Sequence, residues 1–408
     1  MKKTLETLFK FDRQLLGAGY DSGLEYLNHL MGLDILEFDS GTEFGTWTVP
    51  EEWVVRDAWV KYKGKKIIDY KKNGLSLLVY SLPFQGIVSK EELEKHLHHA
   101  EDVDDATPFA FKFYERDWGV CLPRNKKLKE GDYEVFIDTE FRPGKMKIGV
   151  HTIKGKKDRE VLVLAHLDHP QQANDNLSGI ACLLDIFTKV KAEYFDHTIK
   201  LVICPETIGS QAYAYSQDLS KVDFVVAVDI CGNDNSIMLQ KSWNDDHRVN
   251  KVAHCALQVA AKPYRKGKFR TSIGSDETVF NDPLIGIPGL LLTTWPYKEY
   301  HTDKDTPEKI NYEKISEVAD LVIKMIEIYE KDYIPVRLFK GPLMRSRYKI
   351  QSPLKRVNLI WDYLIYLMDG EKYLSELCTD MEMSFDQVYD SLEKIVADGK
   401  IKKHDIGK

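Results

Sequence analysis

Between residues 150 and 330 short apolar runs alternate with helical stretches, and this alternation restricts the possible fold more than any other feature. The runs EVLVLAH, TIKLVICPE, VDFVVAVDI and IPGLLLTTW have the length and residue types of buried β-strands. Strands that alternate with helices favour a layered α/β domain with a largely parallel sheet. Such sheets bind ligands at the carboxyl ends of their strands. We therefore expect a functional site where these runs end.

Histidine and carboxylate side chains stand at the ends of these runs or in the loops that follow them. The candidates are His166, Asp168 and His169 in VLVLAHLDH, Asp175 in QQANDNLSG, Glu206 in LVICPETIGS, Asp229 in VVAVDICG and His301 in YKEYHTDKDT. A mixture of imidazole nitrogen and carboxylate oxygen suits zinc or a similar divalent ion. The sequence therefore predicts a metal site at one edge of the sheet.

Most of these candidates also have a simpler explanation. Asp175 directly precedes a helix, where Asp is a common N-cap, and Glu206 could be a surface carboxylate. Asp168 could orient the His166 ring from two residues away, or form a surface pair with it. Asp229 is harder to explain in this way, because it follows a strongly apolar run where an unpaired carboxylate is costly. Taken together and in this order, the candidates favour metal binding.

The rest of the chain predicts two further units. Short runs rich in Val, Ile, Tyr and Trp predict a mainly β module before residue 150, with one helical stretch at SKEELEKHLHHA. Three short helices and a Gly-marked basic turn at the end predict a winged helix-turn-helix, preceded by a linker-like segment from Ile334. The predicted domains are residues 1–40 together with 150–335, an inserted mainly β domain at 41–149, and a winged helix-turn-helix domain at 355–408.

Charge and cysteine usage exclude several classes of protein. The net charge of -7 argues against a general nucleic-acid binder. No apolar run approaches the roughly 20 residues that cross a bilayer, and the charged start MKKTLETLFKFDR lacks the apolar core of a signal peptide. Six widely spaced cysteines without a CxxC motif indicate free thiols. We expect a cytoplasmic protein without a membrane partner.

The order of the motifs resembles the di-zinc aminopeptidase superfamily, which includes bacterial leucyl aminopeptidase and aminopeptidase Y. The matching segments are AHLDH, NDNLSG, PETIGSQAY, VVAVDICG, GSDE and YHTDKDT, within roughly residues 150–330. With the β module and the predicted winged helix, the chain resembles a group of bacterial aminopeptidase-like proteins that carry both additions. The resemblance implies a zinc-exopeptidase-like α/β/α fold with a mixed, mostly parallel sheet.

The resemblance also implies a set of roles. His166, Asp175 and Asp229 would bind one zinc ion, while Glu206 and His301 would share Asp175 with a second. Asp168 would orient His166. A metal-activated water would attack an amide carbonyl, and a general base would carry its proton to the leaving amine. The implied activity is that of a zinc-dependent exopeptidase, foremost an aminopeptidase, acting on a small peptide or peptide-like amide.

One departure from the superfamily pattern leaves the base and the metal count open. The superfamily has two adjacent glutamates, a base followed by a ligand, where this chain has Pro205 and Glu206. Either Glu206 is a ligand and the base lies elsewhere, or Glu206 is the base and one metal site is weakened. Glu277 in GSDETVF is a candidate base, although a carboxylate at a helix start explains it equally well. We expect one or two zinc ions per chain.

Substrate contacts and two alternative functions remain open. The expected contacts are Asp276, Glu277 and Tyr300, with Asp234, Trp295 and Tyr297 as further candidates. The three aromatic residues could equally form an ordinary hydrophobic cluster. We expect the β module to narrow access to the site. One alternative is a metal-dependent amidohydrolase that acts on an acylated metabolite or sugar amine. The other is a degenerate site in a binding or regulatory protein.

The C-terminal segment is too acidic for a helix that docks against phosphates. Residues 355–408 contain eight Lys and Arg residues but eleven Asp and Glu residues. The segment SFDQVYDSLEKIVADG, which would form the recognition helix, has four acidic residues and a single lysine. We therefore expect contact with a protein partner or a second copy of the chain rather than with nucleic acid.

Overall fold

The structure is a computed structural model that describes residues 1–260, 263–350 and 358–404. Its helices are α1 (Lys2–Leu8), α2 (Ala18–Met31), α3 (Lys90–Lys95), α4 (Leu177–Lys189), α5 (Ile208–Ser216), α6 (Arg248–Ala260), α7 (Glu277–Phe280), α8 (Tyr312–Lys331), α9 (Asn358–Tyr366), α10 (Leu374–Asp380) and α11 (Phe385–Ala397). Its strands are β1 (Asp34–Asp39), β2 (Glu43–Phe44), β3 (Trp47–Thr48), β4 (Glu52–Tyr62), β5 (Lys65–Asp69), β6 (Phe84–Ser89), β7 (Leu97–His98), β8 (Val120–Cys121), β9 (Asp132–Arg142), β10 (Lys145–Ile153), β11 (Glu160–His166), β12 (Thr198–Cys204), β13 (Val222–Val228), β14 (Met238–Gln240), β15 (Arg265–Gly267), β16 (Gly289–Thr293), β17 (Ile334–Arg337) and β18 (Ile401–His404).

Eight strands form one central sheet in the order β1-β10-β12-β11-β13-β16-β14-β15. Strand β11 pairs in parallel with β12 and β13, β13 with β16, and β14 with β15. The pairings β1–β10, β10–β12 and β14–β16 are antiparallel. The α/β fold with a mixed, mostly parallel sheet is therefore confirmed. The four apolar runs of the sequence are its neighbouring strands β12, β11, β13 and β16.

Helices cover both faces of this sheet, which explains why its central strands are continuously apolar. Alternate side chains of β11 point to opposite faces. Val161 and Val163 pack in one core with α4, α6 and α8, while Leu162 and Leu164 pack in a second core with α5 and α7. Because neither face meets water, no polar residue interrupts the run before His166.

A second, antiparallel sheet lies in the region predicted to be mainly β. Its strand order is β5-β4-β9-β6, and its own core includes Val60, Val135 and Ile137. The predicted helical stretch is shorter than expected, because only α3 is helical and β7 follows it directly. The presence of a separate sheet is confirmed, while the boundaries 41–149 remain a prediction.

The C-terminal unit contains α9, α10, α11 and β18, but the structure does not show a winged helix. Strand β18 pairs antiparallel with β17, which precedes the three helices, rather than with a second strand of a wing. The segment from Ile334 is therefore not a plain linker, because it supplies this partner strand. Residues 351–357 and 405–408, part of the predicted linker and winged helix, lie outside the described residues. Among the described residues no helix is long and apolar enough to cross a membrane.

Candidate metal centre

Three neighbouring strands bring the predicted ligands to one edge of the sheet. Strand β11 ends at His166, which is in register with Cys204 at the end of β12, two residues before Glu206. Strand β13 ends one residue before Asp229. Residues that are far apart in the sequence therefore lie close together in space, because neighbouring parallel strands have their carboxyl ends at the same edge of the sheet.

Asp175 lies at the centre of the cluster and does not cap the following helix. The N-cap of α4 is Asn176, whose side chain accepts a hydrogen bond from the Gly179 backbone N–H. One Asp175 oxygen, Oδ1, lies 3.0 Å from His166 Nε2 and 3.1 Å from His169 Nδ1. The other, Oδ2, lies 3.0 Å from His301 Nε2. The simpler explanation of Asp175 as an N-cap is thus excluded.

The potential ligand atoms form two overlapping groups. His166, His169 and Asp175 form one, and His166, Glu206 and Asp229 form the other, with the ligand atoms of each group within 4.8 Å of one another. The resemblance paired Glu206 with His301, whereas here Glu206 lies with His166 and Asp229. His169, a candidate to which the resemblance gave no role, belongs to the cluster.

The unpaired atoms of the cluster fit a divalent ion. Asp175 Oδ2, Asp229 Oδ1, His169 Nδ1 and His301 Nε2 are buried and make no hydrogen bond of acceptable geometry with the described residues, although all but Asp229 Oδ1 have a neighbouring ligand atom at 3.0–3.1 Å. Buried polar atoms are rarely left unpaired. Ligand atoms about 2.0–2.2 Å from one zinc ion lie close together without bonding to each other, which matches this arrangement. The donor set, imidazole with carboxylate, suits zinc as well.

Opposite charges perturb the acid–base properties of the cluster. Burial lowers the pKa values of His166 and His169, but the surrounding carboxylates outweigh it and raise both well above the usual range. Burial raises the pKa of Asp229 to about 8. Burial also opposes ionisation of Asp175, but the adjacent histidines hold its pKa well below the usual range. Asp175 is therefore the anionic centre of the cluster.

Left-handed backbone turns the ligand-bearing loops towards the cluster. His169, Thr207, Ile230 and His301 have φ values of 76°, 60°, 47° and 51°. Such values are uncommon outside glycine, and they tend to concentrate at functional sites. The turn at His169 points its ring back towards Asp175, and the turn at Thr207 follows Glu206 directly. This local geometry was not readable from the residue types.

Asp168 and Asp276 fix the turn that contains Glu206. Asp168 Oδ1 accepts a hydrogen bond of 2.8 Å from the Glu206 N–H, and Asp276 Oδ1 accepts one of 2.9 Å from the Thr207 N–H. The atom facing His166 Nδ1 at 3.6 Å is Asp276 Oδ2. Asp276 thus lies beside the His166 ring, and Asp168 lies 3.8 Å from His169 Nε2, while the orientation of His166 by Asp168 stays a prediction.

Glu277 and Asp276 are buried behind the ligands rather than open to a substrate. Asp276 is 1% exposed and Glu277 is fully buried. Glu277 accepts hydrogen bonds from the Gln240 side chain and the Ser275 N–H, both 3.1 Å, and burial raises its pKa to about 8. Their burial argues against the predicted substrate contacts and against Glu277 as the replacement base.

Two supporting residues were not found from the sequence. The Asp305 carboxylate accepts hydrogen bonds from the N–H groups of Asn174 and Asp175, at 2.8 and 3.0 Å, and so fixes the Asp175 loop. Arg13 is fully buried and donates to the carbonyl oxygens of Leu167, Asp168 and Gln172, the last at 2.9 Å. Asp305 lies in the YHTDKDT motif, but nothing local distinguishes Arg13 from an ordinary polar residue near a helix.

A cavity of about 850 Å³ opens beside His301. Its lining includes Tyr300, which stacks on the His301 ring with ring centroids 3.8 Å apart, and also Trp295, Tyr297 and Asp234. Phe109 forms another wall, with its ring centroid 5.0 Å from that of His169 and its N–H donating to the His301 carbonyl at 2.7 Å. A segment between β7 and β8 thus forms part of the cavity together with Tyr300, whose contact with a substrate stays a prediction.

Comparison with known proteins finds one matching family and several proteins that this chain resembles. The family named "Domain of unknown function (DUF4910)" matches residues 2–332. A Clostridium acetobutylicum protein, provisionally described as a polysaccharide biosynthesis protein with an aminopeptidase-like domain, is 28% identical over 403 residues, 94% of this chain and 92% of that protein. A crystal structure from Clostridium acetobutylicum, provisionally called a peptidase, aligns with a TM-score of 0.83 and 26% identity, over 99% of this chain and 96% of that one.

The fold is also that of zinc aminopeptidases. BSAP, a zinc aminopeptidase from Bacillus subtilis, aligns with a TM-score of 0.59 and 15% identity over 80% of this chain and 93% of that one. An aminopeptidase from Aneurinibacillus sp. strain AM-1 aligns with a TM-score of 0.52 and 15% identity over 81% and 92%. At such low identity the likeness shows the fold alone. The resemblance inferred from the motifs is confirmed at this level.

Proposed function

This chain belongs to the DUF4910 family, and we propose that it is a zinc-dependent hydrolase, specifically an aminopeptidase that cleaves an amide bond of a small peptide or peptide-like substrate. One observation carries the proposal: buried histidine and carboxylate ligand atoms without hydrogen-bond partners converge at the carboxyl ends of β11, β12 and β13. The aminopeptidase-like fold and the adjacent cavity support it.

The cluster has enough donors for one or two zinc ions. Asp175, with His169 and His301 on either side, would hold one ion, and Glu206 with Asp229 would hold a second, while His166 lies within reach of both. When bound, zinc would polarise an amide carbonyl and make water a stronger nucleophile.

Where Glu206 is not a metal ligand, it is the residue best placed to carry a proton between water and the leaving amine. Its side chain is 26% exposed, whereas those of Asp175 and Asp229 are 2% and 4% exposed. Burial opposes its ionisation, but His166 and His169 outweigh this effect and lower the pKa of Glu206. An ionised, accessible carboxylate can accept a proton. Asp168 positions it through the Glu206 N–H.

Metal content tests this proposal first. Protein purified without chelator or tag-derived nickel should contain one or two zinc ions per chain by elemental analysis. Asp175→Asn should lose at least one of them, whereas Asp185→Asn should not, because Asp185 lies on α4 and pairs with Lys189 instead. If no zinc binds even after zinc is added, the hydrolase is excluded and the degenerate, regulatory alternative becomes the better account.

Glu206→Gln then separates the two roles left open by Pro205. We expect turnover of aminoacyl substrates to be lost in either case. Unchanged zinc content would assign Glu206 as the base, and a lower content would assign it as a ligand. Full activity of the variant would show that Glu206 does neither.

A second candidate is a metal-dependent amidohydrolase that acts on an acylated amino sugar. Trp295 and Tyr300, whose rings meet edge to face with centroids 5.0 Å apart, offer flat surfaces suited to a sugar ring. The description of the Clostridium relative as a polysaccharide biosynthesis protein favours the same candidate. A panel of aminoacyl amides and N-acetylated amino sugars separates the two, since each candidate predicts hydrolysis of one set only.

For the C-terminal unit we propose contact with a protein partner or a second copy of the chain, and we keep the winged helix as a proposal. The apolar face of α11, including Val388 and Leu392, is already buried within this chain, and Asp386 of α11 pairs with Lys324 of α8. An acidic helix held in this way suits phosphate groups poorly. Binding of duplex DNA by the full chain at physiological salt would contradict the proposal, and the molecular mass in solution would test self-association.

A further inference from the structure

The cavity beside His301 has chemical features that the metal cluster does not use. We call it the His301 cavity. It is lined by residues 99–103, 108–110, 233–235 and 295–302, so that one wall comes from the segment between β7 and β8. Trp295 and Tyr300 supply aromatic surfaces: the two rings contact each other, and the Tyr300 ring stacks on His301.

The lining of the His301 cavity carries an excess of negative charge. Glu101 and Asp102 are exposed in it, and neither forms an ion pair within the described part of the chain. Asp234 accepts a hydrogen bond from the Asn311 side chain, which leaves its charge uncompensated. Among the described lining residues Lys298 is the only lysine or arginine. A cavity lined by carboxylates and by Trp and Tyr rings attracts an ammonium group, since both the charges and the ring faces favour a cation.

The side chain of Asn233, which lines the same cavity, has one donor without a partner among the described residues. Asn233 is 9% exposed, and its Oδ1 accepts a hydrogen bond of 2.9 Å from the Asn235 N–H. Its Nδ2 is buried and makes no hydrogen bond. Since such donors are seldom left unpaired, this one calls for an acceptor oxygen from a bound molecule.

We propose that the His301 cavity binds a basic substrate residue, one that carries a side-chain ammonium group as lysine does. Glu101, Asp102 and Asp234 would attract the ammonium, and Asn233 Nδ2 would donate to a carbonyl oxygen of the same residue. This inference rests on the proposed function for the position of the scissile bond beside the metal cluster. It goes beyond that function by assigning a substrate class to residues outside the cluster.

The test compares two ligands that differ only in the side-chain ammonium. L-lysine and L-norleucine, which contain no amide bond and so cannot be hydrolysed, are titrated calorimetrically into the zinc-loaded full chain at low and at physiological salt. We expect lysine to bind about fivefold more tightly at physiological salt, the size expected for partly exposed carboxylates with aromatic support, and the difference to grow at low salt. Glu101→Gln/Asp102→Asn should reduce the preference to below about twofold.

A matched variant controls for the change in net charge. Asp104→Asn/Asp105→Asn removes two carboxylates from the same segment that do not line the cavity and that pair with Arg124 and Lys304. It should keep the full preference. Asn233→Leu should weaken both ligands equally, because it removes a donor to the carboxyl oxygen that both ligands share.

Equal binding of both ligands by the wild type, or a preference that survives in Glu101→Gln/Asp102→Asn, would overturn the proposal. Tight binding of glucosamine over glucose without a preference for lysine would also overturn it, by assigning the ammonium to an amino sugar. Binding of the free amino acids is measured without turnover, so the two proposals fail separately. Hydrolysis of aminoacyl amides without a basic preference would contradict only this proposal, and a lysine preference without any hydrolysis would contradict only the hydrolase.

Discussion

At the scale of single residues, the least expected feature is a buried arginine behind the metal cluster. Arg13 donates to three backbone carbonyls of the loop that carries His166, His169 and Asp175. Burial lowers its pKa to about 10, although nearby carboxylates oppose the effect, so the guanidinium is charged at neutral pH. It both shapes this loop and balances the buried carboxylates around it.

Arg13→Met is therefore expected to lower the free energy of unfolding by about 3–5 kcal/mol, because it leaves buried carboxylates without a counter-charge. Arg13→Lys should lower the free energy of unfolding by less, since lysine keeps the positive charge. It should still lower it, because lysine lacks the planar set of donors that reaches three carbonyl oxygens. Both variants should also bind zinc more weakly than wild type. Urea unfolding with and without zinc checks this; a Met variant as stable as wild type would contradict it.

A second residue-scale prediction concerns Asp332, which accepts hydrogen bonds from the Ser375 N–H and hydroxyl at 2.9 and 2.8 Å. Burial raises its pKa from 3.8 to about 6, against the opposing effect of Arg248. Its folded pKa lies above the unfolded value. The stability that it contributes is therefore full below about pH 4 and is lost as the pH rises through about 6.

Asp332→Asn removes this titration while keeping an acceptor for Ser375. The stability of the variant relative to wild type should increase between pH 4 and pH 7, by about 3 kcal/mol for a shift of about two pKa units. Urea unfolding of both proteins across this range measures the difference. If the stability of Asp332→Asn relative to wild type stays constant or decreases over this pH range, burial does not raise the pKa of Asp332.

At the scale of elements, the C-terminal helices share a core with the α/β domain rather than forming a separate body. Leu364, Phe385 and Leu392 belong to the same buried cluster as Val249 of α6 and Leu321 of α8. Lys251 of α6 pairs with Glu376 of α10 at 2.7 Å. The sequence predicted a linker here and not a strand, because a segment rich in Pro, Gly and basic residues is typical of a linker. Nothing in it indicates that Ile334–Arg337 pairs with a strand about 65 residues later.

Truncation after Asp332 should accordingly destabilise the whole chain. It would expose apolar surface on α6 and α8 where each buried Leu or Phe contributes about 1.5–3 kcal/mol. We expect poor solubility and a midpoint of thermal unfolding at least about 10 °C lower. Each kcal/mol of lost stability lowers this midpoint by a few degrees, and the truncation should cost several kcal/mol. Deletion of residues 405–408 removes no described contact and serves as the control. A truncated chain as soluble and stable as the control would mean that the terminal unit is separable.

At the scale of the whole molecule, the β module and the α/β domain meet at the site. Pro108 and Thr302 form an isolated β-bridge, and the Thr107 N–H donates to Asp303 Oδ1 at 3.0 Å. This contact fixes Phe109 against the rings of His169 and His301. The expected narrowing of access thus has a physical basis in these contacts, although the size of the accepted substrate stays a prediction.

We expect hydrolysis of dipeptides to exceed that of decapeptides about tenfold or more in kcat/KM, as a steric cost of about 1.4 kcal/mol would produce. Phe111 is 42% exposed, and its ring centroid lies 6.1 Å from that of His301. Phe111→Ala should bring the kcat/KM values for dipeptides and decapeptides closer together. Rapid cleavage of internal bonds in an unfolded protein by the wild type would contradict the prediction.

The sequence by itself determined the central sheet and the identity of most cluster residues. Continuous apolar runs must be buried on both faces of a sheet. The polar residues at or just after the ends of these strands, His166, Glu206 and Asp229, must then meet at one edge of the sheet. Both conclusions depend only on neighbours along the chain. For the same reason helix α4 was predictable, although its N-cap is Asn176 and not Asp175.

Only the tertiary structure decided how these residues combine. The left-handed turn at His169 brings that ring into the cluster, and the burial of Asp276 turns a predicted substrate contact into a support for the Glu206 turn. Arg13 reaches a loop more than 150 residues away. Backbone turns and long-range contacts depend on packing between segments that are remote in sequence, so no local pattern of residue types specifies them.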